Sequence, residues 1–428
     1  MSAPTQTTPV FKALTEASFS DSSLSEEAKE NALYWWNTSA NDLARMLHQA
    51  DYSEEVQRGF LSYYRDNICP RLGGKPDKDS ADSGVGWDGN PLEYSFELKG
   101  STKKKSVRFV VDLTELRPAD HSNPLSMKHT QEMVDLLAEK TPTSMIREEQ
   151  TALIAKAGQQ TSVIIGFDIY PKLTSPDQLP VMGKVYFPPC YVASDKGISR
   201  WQAVRQGIQS LPGVESFPNI LSSTEIINDY LSEKPDSWQM GTRYLATDLV
   251  SPNKARFKVY MRCFDTSFEG IWDYYTLGGR IPNLDEDREK FRQLMDLVSG
   301  TTYAETRSKD DMQMGRFTSA TGKLTAIYFN ISPDNPYPAP KLCIYPSNFA
   351  KDDEVIAKGL DEWLEKYGWS DDTKSMEDQV KSVFDHRKLE ETTGIFTFIG
   401  IGRKEDPTKK ELSIQVYMTP ELYRTPRF

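Results

Sequence analysis

The sequence predicts an α/β fold, a ten-stranded antiparallel barrel ringed by helices and built from repeated ααββ units. Ten strand-like segments come as neighbours in pairs, helical patterns lie between the pairs, and no Pro- or Ser-rich linker divides the strand-bearing region. Two helices followed by two strands, repeated, implies antiparallel strand pairs on a sheet with helices on one side. A chain of 428 residues with 38% hydrophobic content suits two or three ordinary domains or one large closed architecture. Without a linker the expectation is one domain over residues 1–428, with residues 1 to about 20 disordered.

The elements follow in order. Over residues 25–72 the apolar spacing is helical, as in Ala32, Trp35 and Trp36, then Leu43, Met46 and Leu47, then Phe60, Leu61 and Tyr64. Residues 73–90 are rich in Gly, Asp, Ser and Lys without periodicity and predict a loop or lid. Strands are predicted at 92–98, 106–113, 162–170, 183–187, 243–249, 256–264, 324–331, 341–345, 394–400 and 412–418. Helical patterns fall at 128–139, 198–211, 223–231, 285–298 and 353–367. The sequence itself does not repeat, so the periodicity is structural only.

Composition removes several function classes. A net charge of −11 and a pI near 5.1 argue against a nucleic-acid partner, which would call for surplus Lys and Arg. No apolar run approaches the roughly 20 residues of a membrane span, and residues 1–20 lack a signal pattern, so a cytoplasmic location is expected. Cys69, Cys190, Cys263 and Cys343 form no CxxC pair and read as reduced thiols. His48, His121, His129 and His386 have no metal-ligand spacing. The sequons at Asn37 and Asn330 mean little without secretion. Gly84-Val85-Gly86-Trp87-Asp88-Gly89 fits GxGxxG but leads into a strand, whereas a dinucleotide site opens a helix. Lys103-Lys104-Lys105 reads as a solvated hairpin turn. The acidic pairs Asp310-Asp311, Asp352-Asp353 and Asp371-Asp372 all lack the later aspartate of a DDxxD metal motif.

The informative feature is a strand face that should not be polar. In a strand alternate residues share a face, so Arg256, Lys258 and Tyr260 point one way and Phe257, Val259 and Met261 the other. Lys184 with Tyr186, Lys341 with Cys343, Gln415 with Tyr417, and Arg108 repeat the pattern. Singly, each also fits an ordinary strand with a solvated outer face. Together they select Arg, Lys, Tyr and Gln, and the face reads as nearly free of carboxylate. In a barrel with helices outside this face is the lumen, where unpaired cations are costly unless an anionic ligand meets them. Arg and Lys suit phosphate oxygens, and tyrosine faces attract a cation by about 0.5 to 2 kcal/mol each. Those are the requirements for ionising an allylic diphosphate. Glu93, where the loop becomes a strand, is the candidate acid–base residue: an ionised carboxylate that accepts an acceptor N–H or O–H, with a solvated edge carboxylate as the alternative.

Tyr34-Trp35-Trp36, Ala50-Asp51-Tyr52-Ser53, Pro70-Arg71-Leu72-Gly73, Pro91-Leu92-Glu93-Tyr94-Ser95, Gly166-Phe167-Asp168, Lys184-Val185-Tyr186, Arg256-Phe257-Lys258-Val259-Tyr260, Pro340-Lys341-Leu342 and Val416-Tyr417 resemble the dimethylallyltryptophan synthase family of fungal indole prenyltransferases over nearly the whole chain. The resemblance implies the ABBA prenyltransferase barrel and transfer of a dimethylallyl or longer prenyl group to an indole-containing acceptor by metal-independent Friedel–Crafts alkylation. No cofactor is then required, and prenyl diphosphate is the co-substrate. Glu93 looks like the glutamate that binds the indole N–H. Arg108, Lys184, Tyr186, Arg256, Lys258, Tyr260, Lys341 and Tyr417 look like the diphosphate cradle and tyrosine shield, and Arg243 and Tyr170 like acceptor contacts. Cys343 stands where the family usually has a shield tyrosine, which Tyr345 could replace. Tyr170 stands where members acting at C4 of free tryptophan carry a Lys, which points to a larger indole; Lys172 would substitute only in a shifted register. Ala326 leaves room for a longer chain. The rival readings are a phenolic or other hydroxyaromatic acceptor and a non-catalytic anion-binding barrel. The expected partners are a small aromatic acceptor and prenyl diphosphate, with no nucleic acid and no membrane, and a homodimer stays open.

Overall fold

The computed structural model describes residues 7–17, 19, 24–75, 83–98, 105–113, 132–133, 135–137, 163–173, 178–309, 323–370, 374–403 and 411–422. The strands are β1 Leu92–Leu98, β2 Lys105–Asp112, β3 Ile164–Ile169, β4 Val181–Phe187, β5 Thr242–Asp248, β6 Phe257–Arg262, β7 Thr325–Ile331, β8 Ala339–Ile344, β9 Phe396–Arg403 and β10 Leu412–Met418. Neighbours in sequence pair antiparallel, and β1 pairs with β10 to close the barrel. Closure leaves no unpaired edge. The fold is the predicted one, with strand ends displaced by at most a few residues.

Cross-strand partners share a face, so the register sorts the side chains. Ser95 stands opposite Arg108, Arg108 opposite Asp168, and Lys184 opposite both Gly166 and Asp248. Lys258 stands opposite Ala246 and Asn330, and Lys341 opposite Tyr328 and Gly402. This is the lumen face. The other face is apolar: Tyr94, Phe109 and Phe167 stack across β1, β2 and β3 with centroids 5.8 Å apart in each step, buried beneath helices. Both faces are thus shielded, which explains strands whose inward residues are polar yet inaccessible.

The surrounding helices start at side-chain caps. Ser53 accepts from the Val56 N–H ahead of Glu54–Tyr63, and Ser199 with Gln202 forms a capping box ahead of Arg200–Gln209. Helix Asp353–Lys366 anchors β9 directly. The Asp353 carboxylate accepts the N–H groups of Gly394, Ile395 and Phe396 at 3.3, 3.1 and 3.4 Å and pairs with Arg387. Arg387 also bonds Glu421 at 2.8 Å, which holds His386 at 2.9 Å.

One expectation changes. The first twenty residues are not all irregular: Pro9–Thr15 is a helix, capped by Thr8, with Val10, Phe11 and Leu14 buried and Phe11 stacked on Trp36 at 4.9 Å. Pro at the first helical position and apolar residues spaced for one face favour it. Of the predicted helix at 128–139, residues 132, 133 and 135–137 are helical, while the rest, with Lys103, Lys104, His121, His129, Asp310, Asp311, Asp371 and Asp372, lie outside the described residues. Among the described residues, no helix is long and apolar enough to cross a membrane.

Candidate active site

The lumen divides into two chambers joined by a ring of tyrosines. The chamber at the Glu93 end is lined by Gly84, Val85, Glu93, Val110, Arg243, Tyr244, Arg262, Ala326 and Tyr345, among others. Gly84 and Val85 come from the loop predicted over 73–90, of which residues 76–82 lie outside the described residues. The Trp87 indole N–H donates to the Phe396 carbonyl at 3.0 Å and its ring meets Tyr345 edge-on at 6.2 Å. The opposite chamber is polar, lined by Glu97, Arg108, Asp168, Arg256, Lys258, Lys341 and Arg403. Tyr186, Tyr260, Tyr328 and Tyr417 stand between them.

Of the predicted cations, Arg108, Arg256, Lys258 and Lys341 line the polar chamber and Lys184 lines the tyrosine passage beside it, but this face is not free of carboxylate. Glu97, Asp168 and Asp248 project onto the same face. Arg108 bonds Glu97 at 2.7 Å and lies 3.3 Å from Asp168, which also takes the Lys184 ammonium. Asp248 bonds Arg256 at 2.6 Å and reaches Lys258 at 3.4 Å. Lys341 donates to Ser413 at 3.0 Å, and Arg403 pairs with Glu286 and Asp287 behind the barrel wall. The expectation of a nearly carboxylate-free face came from strands read singly, whereas Asp168 and Asp248 join the cations only through the register with β2 and β4. Burial pushes the Lys184 ammonium down to about 7 and that of Lys341 down to about 8, with Asp168 and Glu97 respectively pulling back upward. Burial alone would raise Asp168, but the Arg108, Lys184 and Lys258 charges hold it below the usual carboxylate range.

The aromatic ring is fuller than the sequence suggested. Tyr260 meets Tyr186 at 5.8 Å and Tyr328 at 4.8 Å, and Tyr417 stacks on Phe398 at 3.7 Å. Tyr328, Phe398 and Tyr244 were missed because their strands carry no cation in an alternating pattern; the period-2 position of Tyr328 opposite Tyr260 was the available signal. Cys343 is fully buried in this cluster, and Tyr345, against Phe398 at 5.3 Å, supplies ring surface beside it. Burial pushes the Tyr186, Tyr260, Tyr328 and Tyr417 hydroxyls up, so they remain neutral donors.

Glu93 faces the less polar chamber and is 7% exposed. Burial pushes its carboxyl well above the usual range, with the neighbouring Thr397 pulling the other way. Thr397 is the extra residue where the β9–β10 register slips, a bulge that re-aims a side chain at the site. The sequence reading takes Glu93 as an ionised carboxylate; burial favours its protonated form, and among the described residues no cation pairs with it. Arg243 lines this chamber, as does Arg262, which the sequence reading had not singled out. Burial and the nearby Arg243 charge lower Arg262. Tyr170 does not join them. It follows the end of β3 beyond Asp168, is 40% exposed, and neighbours Asp248 and Arg256 at the polar end. Among the described residues no group of three or more His, Cys, Asp or Glu is arranged to hold a metal ion.

Comparison with known proteins agrees with this fold. The family described as tryptophan dimethylallyltransferase matches residues 31–379. Prenyltransferase phnF of Penicillium herquei is 95% identical over the full length of both chains. DMATS-type prenyltransferase mfmD of Annulohypoxylon moriforme is 52% identical over 98% of each chain. Xanthone prenyltransferase B of Emericella nidulans is 24% identical, covering 92% of this chain and 88% of its own. The crystal structure of NotF in complex with brevianamide F and DMSPP superposes with a TM-score of 0.71 at 17% identity, covering 96% of this chain and 98% of that one.

Proposed function

The chain belongs to the tryptophan dimethylallyltransferase family and is an aromatic prenyltransferase, and from that premise we propose that it prenylates a hydroxyaromatic acceptor held beside Glu93. The observation that carries the choice is the pair Arg243 and Arg262 lining the same chamber as Glu93. Two guanidinium groups favour an acceptor rich in oxygen and partly ionised, since charge-assisted hydrogen bonds to such oxygens are the strong ones. A relative named for prenylating a xanthone, an oxygenated ring system, supports the same reading. The indole acceptor expected from the sequence stays as a second reading, favoured by a buried carboxylate that can accept a ring N–H.

The prenyl diphosphate lies with its phosphates on Arg108, Lys184, Arg256, Lys258 and Lys341 and its hydrocarbon chain between Tyr186, Tyr260, Tyr328 and Tyr417. The bond between the allylic carbon and the bridging oxygen breaks, and its electron pair stays on the diphosphate, where the cations stabilise the developing charge. The allylic cation is held by tyrosine faces and kept from water. An acceptor carbon or oxygen forms the new bond, and the displaced proton passes to the Glu93 carboxylate in the same chamber, whose proton affinity burial raises. The fixed cations do the work a divalent ion would do, so turnover should continue under chelation.

The test is incubation with dimethylallyl or geranyl diphosphate, EDTA, and matched panels of polyphenols and indoles, read by mass spectrometry. Prenylated polyphenol is the expected product. Product from indoles alone would return the assignment to the second reading, and loss of all turnover on adding EDTA would refute the metal-independent chemistry.

A further inference from the structure

Glu97 and Asp168, which line the polar chamber, and Asp248, paired with its cations, have no part in the mechanism above, yet they occupy the donors that the diphosphate would use. Asp168 stands directly opposite Arg108 in the β2–β3 register and also takes Lys184, while Asp248 takes Arg256 and Lys258. Neither lies on the rim, for the Asp168 and Asp248 side chains are 16% and 2% exposed. Two effects follow. In the empty barrel they satisfy cations that would otherwise be buried unpaired. In the loaded barrel they set a ceiling on the attraction for an anion of several charges, since each carboxylate lies within a few ångströms of the phosphate oxygens' donors.

The leaving group makes that ceiling matter. Inorganic diphosphate keeps every charge it had as part of the substrate and gains one more on the oxygen released, so a site built only of cations binds product more tightly than substrate. We propose that Asp168 and Asp248 are positioning counterions that weaken the chamber's hold on inorganic diphosphate and so let it leave between turnovers. The inference rests on the assignment of this chamber to the diphosphate.

Binding of inorganic diphosphate to the full chain tests it, with Asp168→Asn, Asp168→Glu, Asp248→Asn and Arg256→Gln compared by calorimetry and by product inhibition. The Asn variants should bind inorganic diphosphate about tenfold more tightly or better, as removal of one nearby charge warrants. They should also show a burst of product followed by slow steady turnover, and Asp168→Glu should restore wild-type affinity. A merely structural role would not tighten diphosphate binding. Should Asp168→Asn fail to fold by its melting curve, Asp248→Asn carries the same reading. Unchanged or weaker binding in a folded Asn variant overturns the inference. If Arg256→Gln also leaves diphosphate binding unchanged, the chamber's assignment is what fails; if Arg256→Gln weakens it, only the counterion role does.

Discussion

Glu93 and the buried lysines carry the residue-scale consequences. Glu93→Gln keeps the shape and removes the base, so kcat should fall by about 10²- to 10⁴-fold. Affinity for prenyl diphosphate should hardly move, because Glu93 lies in the other chamber. Steady-state kinetics checks both, and wild-type turnover in Glu93→Gln would end its role. Lys184 and Lys341 predict a pH dependence. Their ammonium groups are lowered by burial to about 7 and about 8, and a bound diphosphate favours the protonated form and raises both. Affinity for inorganic diphosphate should therefore be full below about pH 7 and fall as pH rises through about 7 and 8, with protons taken up on binding in that window. A phosphate's second ionisation lies near pH 6, on the acid side of it. Calorimetry at pH 8 in buffers of different ionisation enthalpy measures the uptake; none would contradict the reading.

At the scale of single strands, β9 and β7 make opposite demands. On β9, a Cβ at Gly402 would lie 2.5 Å from the Pro340 carbonyl oxygen and 2.9 Å from the Lys341 Cα. Those are backbone atoms of β8 and cannot swing aside. Gly402→Ala should cost about 1 to 3 kcal/mol, read from a denaturant midpoint, and should weaken diphosphate binding by displacing Lys341. On β7, Ala326 faces the acceptor chamber beside the tyrosines. Ala326→Met fills that space, so turnover with geranyl diphosphate should drop well below that with dimethylallyl diphosphate. An unchanged ratio in product analysis would place the chain elsewhere.

For the whole molecule, the ion network behind β9 ties the last strand pair to a helix of the outer ring. Arg387 pairs with Asp353 and Glu421, and all three side chains are almost fully buried. Arg387→Met leaves two carboxylates without their cation and should destabilise the fold by about 3 to 5 kcal/mol, seen in chemical denaturation. A loss under 1 kcal/mol would show the network to be dispensable.

The sequence by itself determined the strands, their number and the inward face of most of them, because period-2 alternation is a local property that survives without any knowledge of partners. The inward placement of Arg108, Lys184, Arg256, Lys258 and Lys341 was legible in the same way, whereas that of Tyr244, Arg262 and Tyr328 was not. Tertiary structure alone decided who stands opposite whom. Asp168 meets Arg108 only through the β2–β3 register, Asp248 meets Lys258 only across β5 and β6, and Arg243 and Arg262 share a chamber only because the barrel closes around it. Tyr170 fell outside the site for the same reason: its position in the chain follows Asp168 closely, but the strand ends first, and the barrel wall carries it to the surface. Charge balance, proton affinity and exposure depend on distances between strands, and those distances are set by closure of the sheet rather than by any stretch of sequence.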